Sequence, residues 1–581
     1  MLKEALKKFF QDKRILFFLV ISVFLIAVRF LWLDKFPPGF NHDEVDVVLS
    51  AKNYWVNGAD ISGVKFPLPL IATKTEGVSA GLPSILLAPI LGPLDVNLSS
   101  TRFVSALVNI LTGVFLALIV WRLSKNKILS LIAFDVFLAN PWSFIYSRSS
   151  IDTTFALLFL LIGTYMLFSS SGKKILYSII PFVFVFYSYF GAKPLVLLIL
   201  IPLLLIHKSF VGKTTTKVYV VYFSIFLLFF VSYFALSALI PGSMFKLRSS
   251  ELIFSNLDKY SGLVDMERKL SIEFIGKEFF YNKFVSLFLD IAKRYLGAFS
   301  PDNLFFGGDL RATYRLGTHG MFLLPDILFI ILGIYGIGKL GIKKNKALVF
   351  TALSFSIIGP IGSSLNQVET SYIFRAFFLL PGLVILISCG IYFLFVNLKG
   401  LMKLCALVLV TFVYLFFSLN FFYFYFFRFS ITQQENNFLS ERVLANYLMR
   451  SKEKTVVIVN FPLQIFQQYL YFSGYLNGQK SIPQPDKNKY KIGNILLTND
   501  CNDLDLSETV ITQVQIKCKQ LPENGFLTIQ DEKDAGILFK VYNDKLCEGM
   551  SLDSWRRFHL ISDYSIEKLS TNTFCERWIN D

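Results

Sequence analysis

Residues 401–427 read LMKLCALVLVTFVYLFFSLNFFYFYFF, an apolar run in which Lys403 is the only charged residue. Such a run exceeds the roughly 20 apolar residues that cross the hydrocarbon core of a bilayer. Comparable stretches recur at 15–33, 103–120, 128–145, 155–168, 175–190, 195–206, 218–240, 321–337, 347–361 and 373–396. We therefore expect a multi-spanning α-helical membrane protein with about 11 transmembrane helices. The stretch 195–206 is short enough to be re-entrant instead.

The distribution of cations predicts how these helices are oriented. Lys and Arg concentrate in alternate short connections, at 3–14, 122–127, 173–174, 208–217, 339–346 and 399–403. The positive-inside rule places those connections in the cytoplasm, so the long loops 34–101 and 241–320 face the other side. Because the N-terminus is predicted to be cytoplasmic, an odd number of transmembrane helices places the C-terminal tail, residues 428–581, on the exported side. The formal net charge of +16 follows largely from this bias, and we expect no nucleic-acid partner.

We expect two parts, located in the plasma (inner) membrane with the N-terminus cytoplasmic. The first is a transmembrane domain, 1–427, which includes the exported loops 34–101 and 241–320. The second is a soluble extracytoplasmic α/β domain, 428–581, with strands predicted at 455–460, 494–498 and 537–542 and a helix at 464–474.

Four of the six cysteines fall in this tail, on the side of the membrane where disulfides persist. They allow three connectivities, of which we favour Cys501 with Cys518 and Cys547 with Cys575.

The start of the first loop, residues 36–48, reads FPPGFNHDEVDVV. Asp43 or a neighbour can cap a helix over 44–56 that Asn57-Gly58 ends, and its apolar residues suggest that it lies along the membrane surface. A carboxylate near an apolar boundary takes up protons more readily, which suits a general base. The alternative is an ordinary helix cap followed by first-turn acids that complement the helix dipole.

Several motifs resemble those of a known family. They are the helix before PPGF-x-HDE, then GAD-x-x-G at 58–63, LPSILLAP at 82–89, Arg102, NPWS at 140–143, YSR at 146–148 and YIFRA at 372–376. The set resembles the polyprenyl-phosphate-sugar glycosyltransferases of the GT-C fold, relatives of protein O-mannosyltransferases and of the lipid A aminoarabinose transferase. The likeness spans residues 1 to about 427 in topology. It implies a GT-C-like fold and an inverting hexosyl or pentosyl transfer at the extracytoplasmic face.

The resemblance assigns the catalytic aspartate to Asp43, with Glu44 beside it. Family pairs are mostly not preceded by histidine, so His42 either tunes Asp43 or is a solvated loop residue. Glu76, in KTEG, is a second acidic candidate, and a solvent-exposed loop acid is its alternative.

The donor's phosphate needs cations, because negative charge develops on the leaving group. Arg102, Arg148 and Arg375 suit that role, with snorkelling toward lipid headgroups as the alternative. Arg311, Arg315 and His319 form a second polar group, in a loop that closes over the lipid donor in the resembled family.

The expected partners are a polyprenyl-phosphate sugar donor, membrane lipids, and a lipid, glycan or protein acceptor. No cofactor is predicted. Carboxylates at 43, 44 and 46 are of a kind that binds divalent metals, but they lack EF-hand spacing.

One rival function is that of a transporter or flippase of lipid-linked sugars. A transporter requires ionisable residues within its membrane spans, and Asp135 is the clearest of these. A non-catalytic scaffold for the tail is another rival.

Overall fold

A computed structural model describes residues 13–71, 81–212, 214–240, 243–310, 314–339, 342–367, 371–432, 438–478, 481–483, 489–530, 536–549 and 566–580. The contacts divide the chain into two compact units. Unit 1 comprises Met1–Leu31, Leu70–Ala72 and Val104–Phe422, and unit 2 comprises Trp32–Pro69, Thr73–Phe103 and Tyr423–Asp581. Most of the first loop therefore folds with the tail. The boundary between the transmembrane domain and the tail, expected after residue 427, remains a prediction.

Unit 1 is built from helices. In chain order these are α1 (Lys13–Val28), α4 (Leu98–Ser124), α5 (Lys127–Ala139), α6 (Pro141–Tyr146), α7 (Asp152–Ser169), α8 (Ile179–Ser188), α9 (Ala192–Ile206), α10 (Thr216–Leu239), α11 (Met244–Ser249), α12 (Asp258–Lys269), α13 (Lys277–Phe280), α14 (Lys283–Gly297), α15 (Asp326–Lys339), α16 (Ile342–Ile358), α17 (Ile361–Ser364), α18 (Tyr372–Arg375), α19 (Leu379–Asn397) and α20 (Gly400–Phe424). The first six residues of α4 belong to unit 2.

Seven helices within the described residues are long and apolar enough to cross a membrane. They are Leu98–Ser124, Asp152–Ser169, Ala192–Val211, Thr216–Leu239, Lys346–Ser364, Leu379–Asn397 and Gly400–Phe429. The chain is thus a membrane protein by the length and composition of its helices. Each of the other predicted stretches contains a shorter helix, so the expected count of about 11 stays a prediction. The stretch 195–206, which could have been re-entrant, lies within one of the seven.

Glycines let two apolar helices of unit 1, α15 and α19, approach closely. A Cβ added at Gly390 of α19 would lie 2.0 Å from the carbonyl oxygen of Phe329, and one at Gly333 of α15 would lie 2.1 Å from that of Leu386. Only a residue without a side chain fits such a contact, which is how small residues drive helix packing in membranes.

Unit 2 holds the remaining elements. Its helices are α2 (His42–Asn57), α3 (Leu82–Leu91), α21 (Ser430–Thr432), α22 (Leu439–Arg450), α23 (Pro462–Phe472) and α24 (Thr571–Trp578). Its strands are β1 (Thr455–Ile458), β2 (Tyr490–Ile492), β3 (Ile495–Thr498), β4 (Thr509–Gln513), β5 (Leu527–Gln530), β6 (Ile537–Tyr542) and β7 (Ile579–Asn580).

The strands form one mixed sheet in the order β2-β3-β1-β4-β6-β5-β7. Strand β1 is parallel to both β3 and β4, and the remaining pairs are antiparallel. The three strands and the helix predicted for the tail are present as β1, β3, β6 and α23. Both favoured disulfides, Cys501–Cys518 and Cys547–Cys575, are formed.

Candidate functional site

The carboxylates of the first loop lie in the first turn of α2. The side chain of Asn41 caps this helix by accepting a hydrogen bond from the Asp43 amide at 3.1 Å, and Gly58 ends it in the left-handed conformation. Asp43 is half-buried and Glu44 is buried. Because Asn41 supplies the cap, Asp43 is left for another use.

The apolar side of α2 faces protein. Val45, Val48 and Leu49 are buried, and α2 packs against α3 and α23 within unit 2. The expectation that these side chains lie along a membrane surface is therefore wrong, since they are covered by neighbouring helices. The His42 ring packs edge-on against Phe438 with centroids 3.9 Å apart, so His42 is not a solvated loop residue.

The GAD-x-x-G motif forms a turn that Asp60 holds together. Its buried carboxylate accepts hydrogen bonds from the Ser62 amide at 2.9 Å and the Val64 amide at 2.8 Å. The Asn53 side chain of α2 donates to the carbonyl of Asp60 at 2.8 Å, which ties the turn to the helix. The motif thus supports α2 structurally.

Three consecutive carbonyls before α2 each accept a hydrogen bond from a buried side chain. Arg442 Nη1 donates to Pro38, Arg102 Nη2 donates to Gly39 at 2.8 Å, and Gln468 Nε2 donates to Phe40 at 3.1 Å. We refer to residues 38–40 as the clamped turn. Since it directly precedes Asn41, its position fixes where the first turn of α2 begins.

Arg102 is fully buried, and both of its terminal nitrogens donate to the chain itself. Besides Gly39 it binds the Leu33 carbonyl at 2.9 Å through Nη1, and its guanidinium lies 4.9 Å from the centre of the Phe40 ring. It also interacts electrostatically with Glu44. To bind a phosphate through these nitrogens, Arg102 would have to release the carbonyls of Leu33 and Gly39. Its role in binding the phosphate of the sugar donor therefore remains a prediction, and the geometry does not favour it.

Arg442 is itself held by an ion pair. Its Nε and Nη2 bind the two carboxylate oxygens of Glu567 at 2.7 and 2.6 Å, and the Asn446 side chain adds a third contact at 3.3 Å. Burial alone would raise the pKa of Glu567, but the Arg442 charge and these hydrogen bonds hold that pKa below its ordinary value. Arg442 is therefore paired with a carboxylate rather than free for a ligand.

In unit 1, Arg148 is also fully buried. Its Nη2 donates to the carbonyls of Val28 at 3.2 Å and Leu31 at 2.6 Å, where α1 ends. Arg29 lies nearby and binds Asn109, Ser143 and the Leu138 carbonyl. Both guanidinium groups lie over the Phe144 ring, at 5.6 Å for Arg29 and 5.3 Å for Arg148. Like Arg102, Arg148 donates hydrogen bonds to main-chain carbonyls.

The NPWS-x-x-YSR and YIFRA motifs meet at a single carbonyl. Trp142 Nε1 donates to the Ile373 oxygen at 3.0 Å, and the Tyr146 hydroxyl donates to the same oxygen. On the other side of this segment, the buried Asp309 accepts hydrogen bonds from the Ser371 hydroxyl at 2.7 Å and the amides of Tyr372 and Ile373 at 3.0 Å. The backbone leading to Arg375 is thereby fixed.

Arg375 is the most accessible of the three arginines. Its side chain is 20% exposed and lies 3.9 Å from Glu251, which also pairs with Arg248 at 2.7 Å. A partly exposed guanidinium on a fixed backbone can exchange a long ion pair for a phosphate. Among Arg102, Arg148 and Arg375, the side chain of Arg375 is therefore the one that a ligand can reach most easily.

The remaining predicted residues are spread out or lie outside the described residues. His319 is half-buried, with its Nε2 2.7 Å from the Asn420 side chain and its Nδ1 3.0 Å from Thr318. Arg315 lies 3.8 Å from Asp302, and both are about half exposed. Glu76 and Arg311 lie outside the described residues. Within the described part of the chain, no group of three His, Cys, Asp or Glu residues is arranged to hold a metal ion.

Asp135 lies within α5, beside an apolar cavity of about 390 Å³ between α1, α5, α19 and α20. Its Oδ1 accepts a hydrogen bond from Ser22 at 2.5 Å, and its Oδ2 has no hydrogen-bond partner among the described residues. An ionisable side chain at this depth is costly, which marks it for a function or a specific packing role.

Sequence reasoning missed Arg442, Gln468, Glu567 and Asp309. Asp309 carried one signal, because it follows Gly307-Gly308 and precedes the second polar group. The three tail residues carried none, since nothing in their local pattern points to the first loop.

Comparison with known proteins gives matches among solved structures. No family model and no curated protein matches the sequence. Among solved structures, the chain is similar to the crystal structure of the Archaeoglobus fulgidus oligosaccharyltransferase tethered with an acceptor peptide containing the NVT sequon via a disulfide bond. The sequence identity is 14%, the TM-score is 0.41, and the match covers 84% of this chain and 61% of that one. A match of this size assigns neither a family nor an activity to the chain.

Proposed function

We propose that this protein is a membrane glycosyltransferase of the GT-C type that moves a sugar from a polyprenyl-phosphate donor to an acceptor at the extracytoplasmic face, with inversion. The motif resemblance in 36–102, 140–148 and 372–376 supports the proposal. The observation that carries it is the placement of Asp43, which is half-buried, relieved of capping by Asn41, and preceded by the clamped turn.

In the proposed reaction, Asp43 accepts the proton of an acceptor hydroxyl or amine. The acceptor atom bonds to the anomeric carbon from the face opposite the phosphate, which gives inversion. The bond between that carbon and the phosphate oxygen breaks, and polyprenyl phosphate leaves with the electron pair. The role of the clamped turn is to hold Asp43 in place, because a general base must lie within hydrogen-bond reach of its proton.

Arg375 is the proposed phosphate ligand. Its planar guanidinium can bind two phosphate oxygens as negative charge grows on the leaving group. Its backbone is fixed by Asp309 through the amides of Tyr372 and Ile373, while its side chain stays accessible. Arg102 and Arg148 contribute in this proposal by shaping the loop and the end of α1.

The test is transfer by the purified full-length protein in lipid, with polyprenyl-monophosphate sugars as donors and nucleotide sugars as the comparison. Asp43→Asn should abolish transfer without lowering the yield of folded protein. Glu523→Gln, which changes an exposed tail carboxylate, is the matched control and should keep full activity. Undiminished turnover by Asp43→Asn would remove Asp43 from the mechanism.

A transporter or flippase of lipid-linked sugars is the second candidate, favoured by Asp135 and the cavity that it borders. It predicts that liposomes containing the protein move a lipid-linked sugar across the bilayer in the absence of any acceptor. Asp135→Asn should then block movement, whereas Asp43→Asn should not. The reverse pattern, with transfer lost only in Asp43→Asn, favours the glycosyltransferase.

A further inference from the structure

Helix α14 in the second loop turns apolar side chains outward. Phe284, Phe288, Leu289 and Leu296 are 71%, 67%, 59% and 64% exposed. Their spacing places them on one side of the helix. In a soluble protein this side would be the one that is buried. We call these four residues the α14 face.

The polar side of α14 faces the protein instead. Asp290 accepts hydrogen bonds from the Tyr260 hydroxyl at 2.6 Å and from Arg294 Nε at 3.0 Å. Arg294 also donates to the Asn366 carbonyl at 2.9 Å, and the Tyr372 hydroxyl donates to the Arg294 carbonyl at 3.1 Å. The orientation of α14 is thus fixed by hydrogen bonds that leave its apolar side uncovered.

The residues just before α14 include further exposed apolar side chains. Leu270, Ile272, Phe279 and Phe280 are all highly exposed. Exposed apolar patches of this extent are rare in water and mark an interaction surface. The preceding span, α10 (Thr216–Leu239), also presents mostly apolar side chains outward, and Leu239 at its end is 79% exposed. Exposed apolar side chains therefore occur both on a helix that is long and apolar enough to span a membrane and in the loop that follows it.

Charged residues border this surface as at a membrane interface. Lys293 on α14 and Lys269 at the end of α12 are exposed, and Lys277 pairs with Glu273 at 2.7 Å. Lysine stems can cover apolar surface while their ammonium groups reach the headgroup region. Amphipathic helices with this arrangement lie in the plane of the interface with the apolar side among the acyl chains.

We propose that the α14 face is immersed in the lipid leaflet on the side of the second loop. The occupant of this surface is the phospholipid of the membrane that the chain spans. The immersed helix is connected to Arg375, because Asn366, which accepts from Arg294, contacts Glu251 at 3.4 Å, and Glu251 pairs with Arg375.

The experiment uses full-length protein with Cys389→Ala and Cys405→Ala, which leaves both disulfides intact. Phe284→Cys and Phe288→Cys are labelled with an environment-sensitive fluorophore in vesicles of phosphatidylcholine and phosphatidylglycerol. Lys283→Cys, which changes an exposed charged residue outside the α14 face, is the matched control. Leu296→Cys supplies a second reading if either phenylalanine variant gives a poor yield.

We expect labels at 284 and 288 to emit at shorter wavelength and to be quenched several-fold more by brominated phosphatidylcholine than the label at 283. Aqueous iodide should show the opposite order. Equal iodide quenching at all three positions would overturn the proposal. So would shielding from both quenchers at 284 and 288, because that result indicates a protein partner. The fluorescence measurement requires no glycosyl transfer, so its outcome does not depend on whether the proposed function is correct.

Discussion

Arg442 and Glu567 form a two-point ion pair, and the remaining nitrogen of the same guanidinium donates to the carbonyl of Pro38. The tail thus contributes directly to the turn before Asp43. Gln468, also from the tail, binds the adjacent Phe40 carbonyl at 3.1 Å. We infer that the tail has a supporting role in the site, beyond any contact that it makes with an acceptor.

Replacing Glu567 with Gln should destabilise unit 2. Arg442 is 1% exposed and would lose its charge partner, whereas Glu567 is 32% exposed and is partly screened by water. We expect a cost of about 2 kcal/mol, between the values for exposed and buried pairs. The measurement is the unfolding temperature of the full-length protein, which should fall by several degrees.

The surface pair Lys454–Glu508 is the matched control, because its atoms are 2.9 Å apart but the lysine side chain is 76% exposed. Glu508→Gln should change the unfolding temperature little. An equal fall in unfolding temperature in the two variants would mean that the Arg442–Glu567 pair stabilises the protein no more than a surface pair does.

The same pair predicts a pH dependence. Its carboxylate has a pKa below the ordinary value of about 4.3 for glutamate, so its stabilising effect is complete above that pH. The effect is lost as the pH falls through the lowered value. The difference in unfolding temperature between wild type and Glu567→Gln should therefore be constant from about pH 7 to 5 and shrink below about pH 4. A difference that grew on acidification would contradict the assigned direction.

The membrane helices could be predicted because a bilayer imposes a length and an apolar composition that can be read residue by residue. Strands of the tail could be predicted where β-branched and aromatic residues cluster, as in β1 (TVVI) and β6 (ILFKVY). Strands β2, β4, β5 and β7 were missed. Strands β2 and β7 have only three and two residues, whereas β4 (TVITQ) has the same β-branched composition as β1 and could have been predicted. The parallel pairing of β1 with both β3 and β4 has no local signal.

The candidate site shows the same limit. Asp43 and Glu44 stand together in one motif, so the sequence could point to them. Arg442 and Gln468 bind the clamped turn from 404 and 428 residues away, and no periodicity links them to it. The burial of the arginines could not be predicted either. From the sequence, Arg102 and Arg148 lie at the ends of apolar helices near the membrane boundary, but in the structure both are fully buried.

Gly390→Ala should loosen unit 1. The new Cβ would lie 2.0 Å from the Phe329 carbonyl oxygen and 2.9 Å from the Gly333 nitrogen, and main-chain atoms of a packed helix cannot easily move aside. Overpacking of this kind costs about 1–3 kcal/mol. We expect a lower unfolding temperature in detergent.

Gly262→Ala is the control, because Gly262 lies in α12 with nothing within 4 Å of an added Cβ. Alanine there should be neutral or stabilising by up to about 1 kcal/mol. An unchanged unfolding temperature in Gly390→Ala would show that α15 and α19 are not in close contact.

Arg375→Ala should weaken use of the lipid-phosphate donor. Hydrogen bonds to charged groups contribute about 1.5–3 kcal/mol, which corresponds to roughly 10- to 100-fold in kcat/KM for the donor. Arg375→Lys should recover part of this loss, because lysine keeps the charge but not the planar fork. Glu251→Gln, which removes the partner 3.9 Å away, should leave the arginine available and keep most of the activity. Initial rates as a function of donor concentration give the measurement.

Arg428→Ala separates phosphate binding from a general attraction of cations to lipid headgroups. Arg428 is exposed just after α20, and we assign it no role in the site. Its replacement should leave kcat/KM for the donor unchanged, whereas the loss in Arg375→Ala should persist in neutral lipid. If both variants lost activity equally, and only in anionic lipid, Arg375 would be a headgroup contact, because a bound donor phosphate would require it in every lipid.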